Sequence, residues 1–418
     1  MSNRRSLVSM REIIYIVLAL AVYFEIYLLK PIPLFRYVDE CVAVLCLLII
    51  LMEAFKKKLE MSQVYILLLL VLVLCIGLAS TYYNRLQTKT GVIVGDIGNC
   101  FKVFVTYVGA TLFLRPVRNK KIIITTLATV MRFFVLILFG GLLLHLVGIV
   151  PMGMDFRYGI PSYQFINDGA AQLTYMFYAM FVVFTLDLRY TRRRTGKMLF
   201  IVMAAIVWAF TLRTRAFLFI AIYFCMYWVL VAKGRQIKMN WKTILLVFIF
   251  LVVFSLEQID TYFGENKSAR YWLLYYGIFS MNYFFPLGAG FACYGTDAAV
   301  SNYSKLYISF GFTKVWGLQP EYAAFAHDSY WPAIMGQFGA FGLAAMVMVV
   351  IQWCVDIIKR TRFDKFSYLA GLFMVVTQVA SSTMEATFFN FVTVALCFIM
   401  PVMFEDSGCN RLSAVAQD

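Results

Sequence analysis

The stretch Met61-Ser-Gln-Val-Tyr-Ile-Leu-Leu-Leu-Leu-Val-Leu-Val-Leu-Cys-Ile-Gly-Leu-Ala-Ser80 follows Lys56-Lys57-Lys58 and carries no charged residue. As a helix it rises about 30 Å, the thickness of the hydrocarbon core of a bilayer. Basic residues placed just ahead of such a run read as a cytoplasmic flank. Apolar runs of this length recur along the whole chain. Hydrophobic residues are 62% of it and charged residues 14%, and the mean hydropathy is +0.79. No soluble domain needs that much apolar surface. A transmembrane β-barrel would show shorter segments of alternating polarity, which the sequence lacks. The expected fold class is all-α: a polytopic membrane protein, residues 1–418 forming a single transmembrane domain.

Working outward from Met61, spans are expected at roughly 12–29, 37–54, 62–80, 97–114, 122–148, 170–188, 198–212, 216–232, 243–256, 332–357, 366–383 and 387–404, about twelve transmembrane helices of bilayer length. The first follows Arg4, Arg5 and Arg11 and runs to Lys30-Pro31 without a small-residue cleavage site, so it reads as a retained span rather than a signal peptide. Charge checks the count. Lys56-Lys57-Lys58, then Arg115, Arg118, Lys120 and Lys121, then Arg189, Arg192, Arg193, Arg194 and Lys197, then Lys233, Arg235, Lys238 and Lys242, then Lys359, Arg360, Arg362 and Lys365 fall in every second loop. That alternation predicts both termini in the cytoplasm. It also removes the nucleic-acid reading of the net charge of +15, because short clusters between apolar runs are topology signals rather than a polyanion-binding face. Among the nine Cys, Cys41, Cys46, Cys75, Cys225, Cys354 and Cys397 lie in apolar runs and none shows metal-ligand spacing; no metal and no cofactor are expected.

The outward connections are mostly short except for one large loop, residues 257–331, between the ninth and tenth spans. It holds Tyr271, Trp272, Tyr275, Tyr276, Phe284, Phe285 and Trp316, a composition that disfavours disorder and suits a helix at the membrane interface. Because few cations face outward, each one is informative. Arg213 and Arg215 occupy a tight turn, Thr211-Leu-Arg-Thr-Arg-Ala216, and Arg270 lies in Ser268-Ala-Arg-Tyr-Trp272. Guanidinium groups suit bidentate phosphate recognition, and a cation that breaks the inside bias is a functional candidate. Arg85 and Arg157 read as snorkelling residues, Arg132 as either snorkelling or helix-pairing, and His145 as structural. His327, in Ala326-His-Asp-Ser-Tyr-Trp331, reads as a proton acceptor, an orienting group or a hydrogen-bonded structural residue. Pro286-Leu-Gly-Ala-Gly-Phe291 either lets backbone N–H groups approach an anion or makes a turn; no βαβ pattern surrounds it.

Taken in order, Arg213-Thr-Arg-Ala216, Ser268-Ala-Arg-Tyr-Trp-Leu-Leu274, Pro286-Leu-Gly-Ala-Gly-Phe291, His327-Asp-Ser-Tyr330 and Gly336-Gln-Phe-Gly-Ala-Phe-Gly342 resemble the O-antigen polymerase and O-antigen ligase superfamily of bacterial membrane glycosyltransferases. The detailed resemblance covers about residues 205–345. The glycine segment is one residue shorter than the family pattern, and Asp328 stands where the family more often has Asn. The resemblance implies a GT-C-like fold in the bacterial inner membrane, with a cavity open to the periplasm and a large periplasmic loop. It implies a donor glycan on undecaprenyl diphosphate, and a polymerase that joins such repeat units into O-antigen, capsule or exopolysaccharide, with a chain-length regulator as a further partner. Arg215 and Arg270 would stabilise the diphosphate leaving group and His327 would serve the acceptor hydroxyl. Arg213, Asp328, Tyr330, Gly288 and Gly290 would contact substrate. The alternatives are a ligase that delivers glycan to lipid A–core, and a flippase for the lipid-linked oligosaccharide. The chain shows no internal repeat of the kind many transporters have.

Overall fold

The computed structural model describes residues 9–234 and 268–404, apart from 30, 31, 33, 34, 36, 118, 154, 168, 192 and 193. The expected span at 243–256, the first part of the large loop at 257–267, and Arg4, Arg5, Lys30, Pro31, Arg118, Arg192, Arg193, Arg235, Lys238 and Lys242 lie outside the described residues. Helices dominate: α1 (Met10–Tyr23), α2 (Glu25–Leu29), α3 (Val38–Phe55), α4 (Met61–Asn84), α5 (Thr90–Leu114), α6 (Lys120–Leu146), α7 (Ala170–Arg189), α8 (Thr195–Ala209), α9 (Thr214–Tyr227) extended by a π turn (Trp228–Ala232), α10 (Ala269–Tyr283), α11 (Asp297–Ser301), α12 (Lys305–Ser309), α13 (Tyr330–Thr361), α14 (Lys365–Ser382) and α15 (Phe391–Ile399). A short antiparallel hairpin, β1 (Phe156–Arg157) with β2 (Ile160–Pro161), interrupts the α6–α7 connection.

Six of the described helices are long and apolar enough to cross a membrane: α4, α5, α6, α7, α9 with its π turn, and α13. The other expected spans take different forms. The first divides at Phe24 into α1 and α2. α3 has the length but carries Asp39, Glu40 and Glu53. α8, at 15 residues, is apolar but short. The last is broken by 3₁₀ turns into Thr387–Phe389, α15 and Met400–Met403.

Local chemistry sets many of the ends. Ser9 and Glu12 form a reciprocal capping box at α1, Glu12 N–H donating to Ser9 Oγ at 3.3 Å and Ser9 N–H to Glu12 Oε2 at 2.9 Å. Ser268 caps α10, Asp364 caps α14 and Asn390 caps α15 through their side-chain oxygens. α7 is buried along nearly its whole length, whereas α4 and α6 each keep a leucine-rich outer face exposed. An apolar face turned away from the protein is what lipid-facing helices require. Several buried carboxylates are paired with cations. Asp39 accepts from Lys102 Nζ at 2.6 Å. Asp187 of α7 receives both Lys197 Nζ, at 2.7 Å, and Arg132; Arg132 is therefore a helix-pairing residue that ties α6 to α7.

The basic loops gather at one end of the bundle. Arg115 and Arg360 both reach Glu60, Arg189 Nε lies 3.6 Å from Asp364, Lys365 Nζ donates to Val231 O at 3.4 Å, and Lys120 Nζ to Phe404 O at 2.6 Å. The turn bearing Arg213 and Arg215, the α14–α15 junction and the described part of the large loop lie at the other end.

The described part of the large loop, 268–331, is a packed structure. α10 lies along α13, and its Tyr276 stacks on Phe310 with ring centroids 4.5 Å apart. The chain then runs as a strap, residues 284–296, into the body of the bundle. Phe291 N–H donates to Thr81 Oγ1 at 2.8 Å and Ala292 N–H to Asp96 Oδ2 at 2.6 Å. Where the strap meets α13, that helix is broken at Gly339 (φ 62°, ψ −160°). The break leaves helical carbonyls without intrahelical donors, and the strap supplies them: Ala289 N–H donates to Gly336 O at 2.9 Å and Gly290 N–H to Gln337 O at 2.8 Å. A broken helix at membrane depth is stable only when its freed backbone groups are satisfied in this manner. The two glycine-rich segments of the sequence are the two sides of this crossing.

Candidate functional site

Arg215 stands at the N-terminal end of α9, after a turn closed by Leu212 in the left-handed region (φ 51°) and by Thr211, whose hydroxyl donates to Trp208 O at 2.7 Å. The turn aims the guanidinium inward. It is mostly buried, lies 4.9 Å above the Tyr175 ring and is paired through Nη1 with Glu385 Oε1. Tyr175, from α7, donates its hydroxyl to the other oxygen of the same carboxylate, Glu385 Oε2. Glu385 is held at the α14–α15 junction by its own N–H, which donates to Ser381 O at 2.9 Å. Arg215 Nε is buried and has no hydrogen-bond partner among the described residues.

Arg270 enters from the large loop, near the start of α10. Its Nε donates to Asp328 Oδ2 at 2.9 Å and its Nη2 reaches the same oxygen. Tyr175 lies in the electrostatic field of Arg215, Arg270 and Asp328 together. The two guanidiniums singled out from the sequence, far apart in the chain, therefore both lie within electrostatic range of one phenol, and only Arg215 touches its ring. Each holds a carboxylate in a partly buried setting, where a charge-assisted pair is stronger than at an open surface. Phosphate oxygens could take the place of either carboxylate at the same donors. Trp331 Nε1 donates to Ser382 Oγ at 3.2 Å and Tyr178 bonds Ser381 Oγ at 3.2 Å, which fixes α7, α13 and α14 around this group.

The remaining candidates are placed as follows. His327 is 43% exposed, and its Nε2 lies 3.7 Å from Asp297 Oδ1. Its ring makes no hydrogen bond or ion pair with Arg215 or Glu385 among the described residues. Arg213 lies 3.6 Å from Asp155. Tyr330 is fully buried against Phe388 and Phe389, with ring centroids 5.1 and 4.9 Å away, and its hydroxyl has no partner among the described residues. Gly288 and Gly290 belong to the strap. The Gly288 N–H is committed to Phe284 O at 2.9 Å and the Gly290 N–H to Gln337 O, so both donors are taken up within the protein. A Cβ at Gly288 would lie 2.3 Å from Gly339 N, and the close approach of two chains accounts for glycine there. His145 is bonded at both ring nitrogens, accepting from Met152 N–H at 3.0 Å and lying 3.3 Å from Pro161 O, a structural arrangement. Arg85 ends α4 with its guanidinium 5.7 Å from the Tyr82 ring, and Arg157 lies in β1.

Sequence reasoning missed the carboxylates. Glu385 and Asp155 each meet an arginine that it singled out, Asp297 lies beside His327, and Tyr175 touches both Arg215 and Glu385. A signal existed for Glu385, the single charged residue between Lys365 and Glu405: the scarcity argument applied to outward cations applies equally to it. Tyr175 gave no signal among 26 tyrosines. Among known proteins, no family model and no curated protein matches the chain.

Proposed function

We propose that this chain is a metal-independent glycosyltransferase of the bacterial inner membrane that polymerises undecaprenyl-diphosphate-linked oligosaccharides. In this reading the chain has about twelve spans of bilayer length and a GT-C-like arrangement. Both termini are cytoplasmic, and the site opens to the periplasm. The observation that carries the proposal is that Arg215 and Arg270, each paired with a carboxylate in a partly buried setting, both act electrostatically on Tyr175. Together with the order of sequence motifs, it supports a site for a diphosphate rather than a set of lipid-headgroup contacts.

Glycosyl transfer from a lipid diphosphate needs negative charge stabilised as the anomeric C–O bond breaks. Preorganised cations in a partly dry site stabilise that charge without reorganising in the transition state. Arg215 and Arg270 take this role, and Arg213 adds field at the turn. The acceptor hydroxyl attacks the anomeric carbon from the opposite side. His327 and Asp328, adjacent in the loop, orient the acceptor, and Tyr330 fixes the start of α13 behind them.

The test is a transfer assay with purified full-length protein in detergent, given a lipid-linked repeat unit and no ion gradient. The expected result is longer glycans on the lipid, and Arg215→Gln or Arg270→Gln each lowering the rate by roughly a hundredfold, the cost of one lost transition-state contact. Glycan delivered only to lipid A–core would make the protein a ligase. No glycosidic bond formed with either acceptor would remove the enzyme reading.

A further inference from the structure

Glu385 has no place in the sequence-based assignment, yet it makes the tightest-knit contacts of the site. One carboxylate oxygen meets Arg215 Nη1 and the other receives the Tyr175 hydroxyl. Both residues are largely buried, with side-chain exposures of 13% and 11%. The pair joins the start of α9 to the α14–α15 junction. The cation proposed to receive a phosphate oxygen is paired with an anion of the protein's own. A diphosphate that takes Arg215 must displace that carboxylate. It is then left beside the reacting centre with only Tyr175 as a partner, and a buried carboxylate stripped of its cation is a stronger proton acceptor than a paired one.

We infer that Glu385 is a further catalytic residue: an internal anion that holds Arg215 and, once displaced by the lipid diphosphate, accepts the proton of the acceptor hydroxyl. The step balances. The hydroxyl proton passes to Glu385, and the oxygen forms its bond to the anomeric carbon. The bond from that carbon to the diphosphate oxygen breaks, and the electron pair leaves on the diphosphate, where Arg215 and Arg270 receive it. Taking up the proton removes the charge with which Glu385 competed for Arg215, so the guanidinium remains with the leaving group while charge develops there. Departure of the diphosphate and loss of the proton to water restore the Glu385–Arg215 pair. His327, paired with Asp297, keeps an orienting role.

This inference rests on the proposed function, and the experiment separates the two. Full-length protein in detergent is titrated with farnesyl diphosphate by calorimetry, and transfer of a lipid-linked repeat unit is followed across pH, for wild type, Glu385→Gln and Glu385→Asp. Glu385→Gln is expected to bind farnesyl diphosphate roughly tenfold tighter, because the competing anion is gone and the binding-competent form is fully populated. Its kcat is expected to fall by about a hundredfold, with the acid limb of the pH profile lost. Glu385→Asp should keep the acid limb and lower kcat with little change in KM; it carries the test if the Gln variant does not fold, and a wild-type kcat in it overturns the inference. Glu385→Gln binding no tighter than wild type, or turning over at the wild-type rate with the acid limb intact, overturns the inference while the proposed function stands. A wild-type protein that neither binds farnesyl diphosphate nor transfers glycan sinks both.

Discussion

Replacing Gly339 by Ala should disrupt the crossing on which the candidate site stands. The Cβ would lie 2.4 Å from Gly288 N and 2.5 Å from Pro286 O, both backbone atoms that cannot swing away. The backbone there (φ 62°, ψ −160°) is one that residues with a Cβ rarely adopt, costing about 1–3 kcal/mol. Overpacking adds about 1–3 kcal/mol. Parting the strands weakens the Ala289–Gly336 and Gly290–Gln337 hydrogen bonds, at about 1 kcal/mol each. The sum is on the order of 5 kcal/mol, comparable with the whole stability of many folded domains. Gly98, on α5 with open space around its Cβ position, is the control; Gly98→Ala should be neutral or stabilising by up to about 1 kcal/mol. Thermal melting in nanodiscs, read by intrinsic fluorescence, is the assay. Gly339→Ala should melt well below wild type and accumulate poorly, with Gly98→Ala at or above it. A Gly339→Ala protein melting with wild type would refute the crossing as a structural necessity.

Three further outcomes follow from the same geometry. Asp187→Ala leaves Arg132 and Lys197 without their shared buried partner and should cost about 3–5 kcal/mol, seen as a lower melting temperature, whereas Asp187→Glu should recover part of it. The double variant Arg215→Gln with Arg270→Gln should be little slower than either single variant, because the two act on one leaving group; multiplied losses in single-turnover transfer would show independent sites. Partial burial raises the Glu60 carboxyl, but Arg360 and Arg115 outweigh it and hold the group below its ordinary value. A depressed carboxylate contributes stability above its unfolded pKa of about 4.3 and loses it as pH falls through the lower folded value. Melting temperature should therefore drop below about pH 4 in wild type, and Glu60→Gln, less stable at neutral pH, should show a shallower drop.

Composition and charge order made the membrane class and the alternation of loops legible, because both are properties of the chain taken in sequence. The number of crossings was less so. Asp39, Glu40 and Glu53 break the apolar character of α3, and the last expected span is divided by 3₁₀ turns, events that packing decides. Arg215 and Arg270 could be singled out because cations outside the basic loops are rare. The carboxylates that hold them could not be matched to them, since pairing is a tertiary fact. The glycine segments show the same limit. Read alone, Pro286–Phe291 offered an anion-binding loop or a turn, and Gly336–Gly342 offered only the last motif of the resemblance. Their mutual contact, with backbone approaching within van der Waals distance of backbone, was not visible until both were placed.

The candidate site is also a junction between two lengths of chain. Arg215 and Arg270 precede the α11–α12 turn at Asn302–Ser304; Glu385 and Asp328 follow it, and both ion pairs span that divide. The strap donates from the first length and α13 accepts from the second. Two polypeptides encoded separately on either side of that turn would each carry half of every pair, and the charges would be neutralised only when the fragments recombine. Complementation between fragments, rather than the folding of either alone, is how this arrangement would restore its electrostatics.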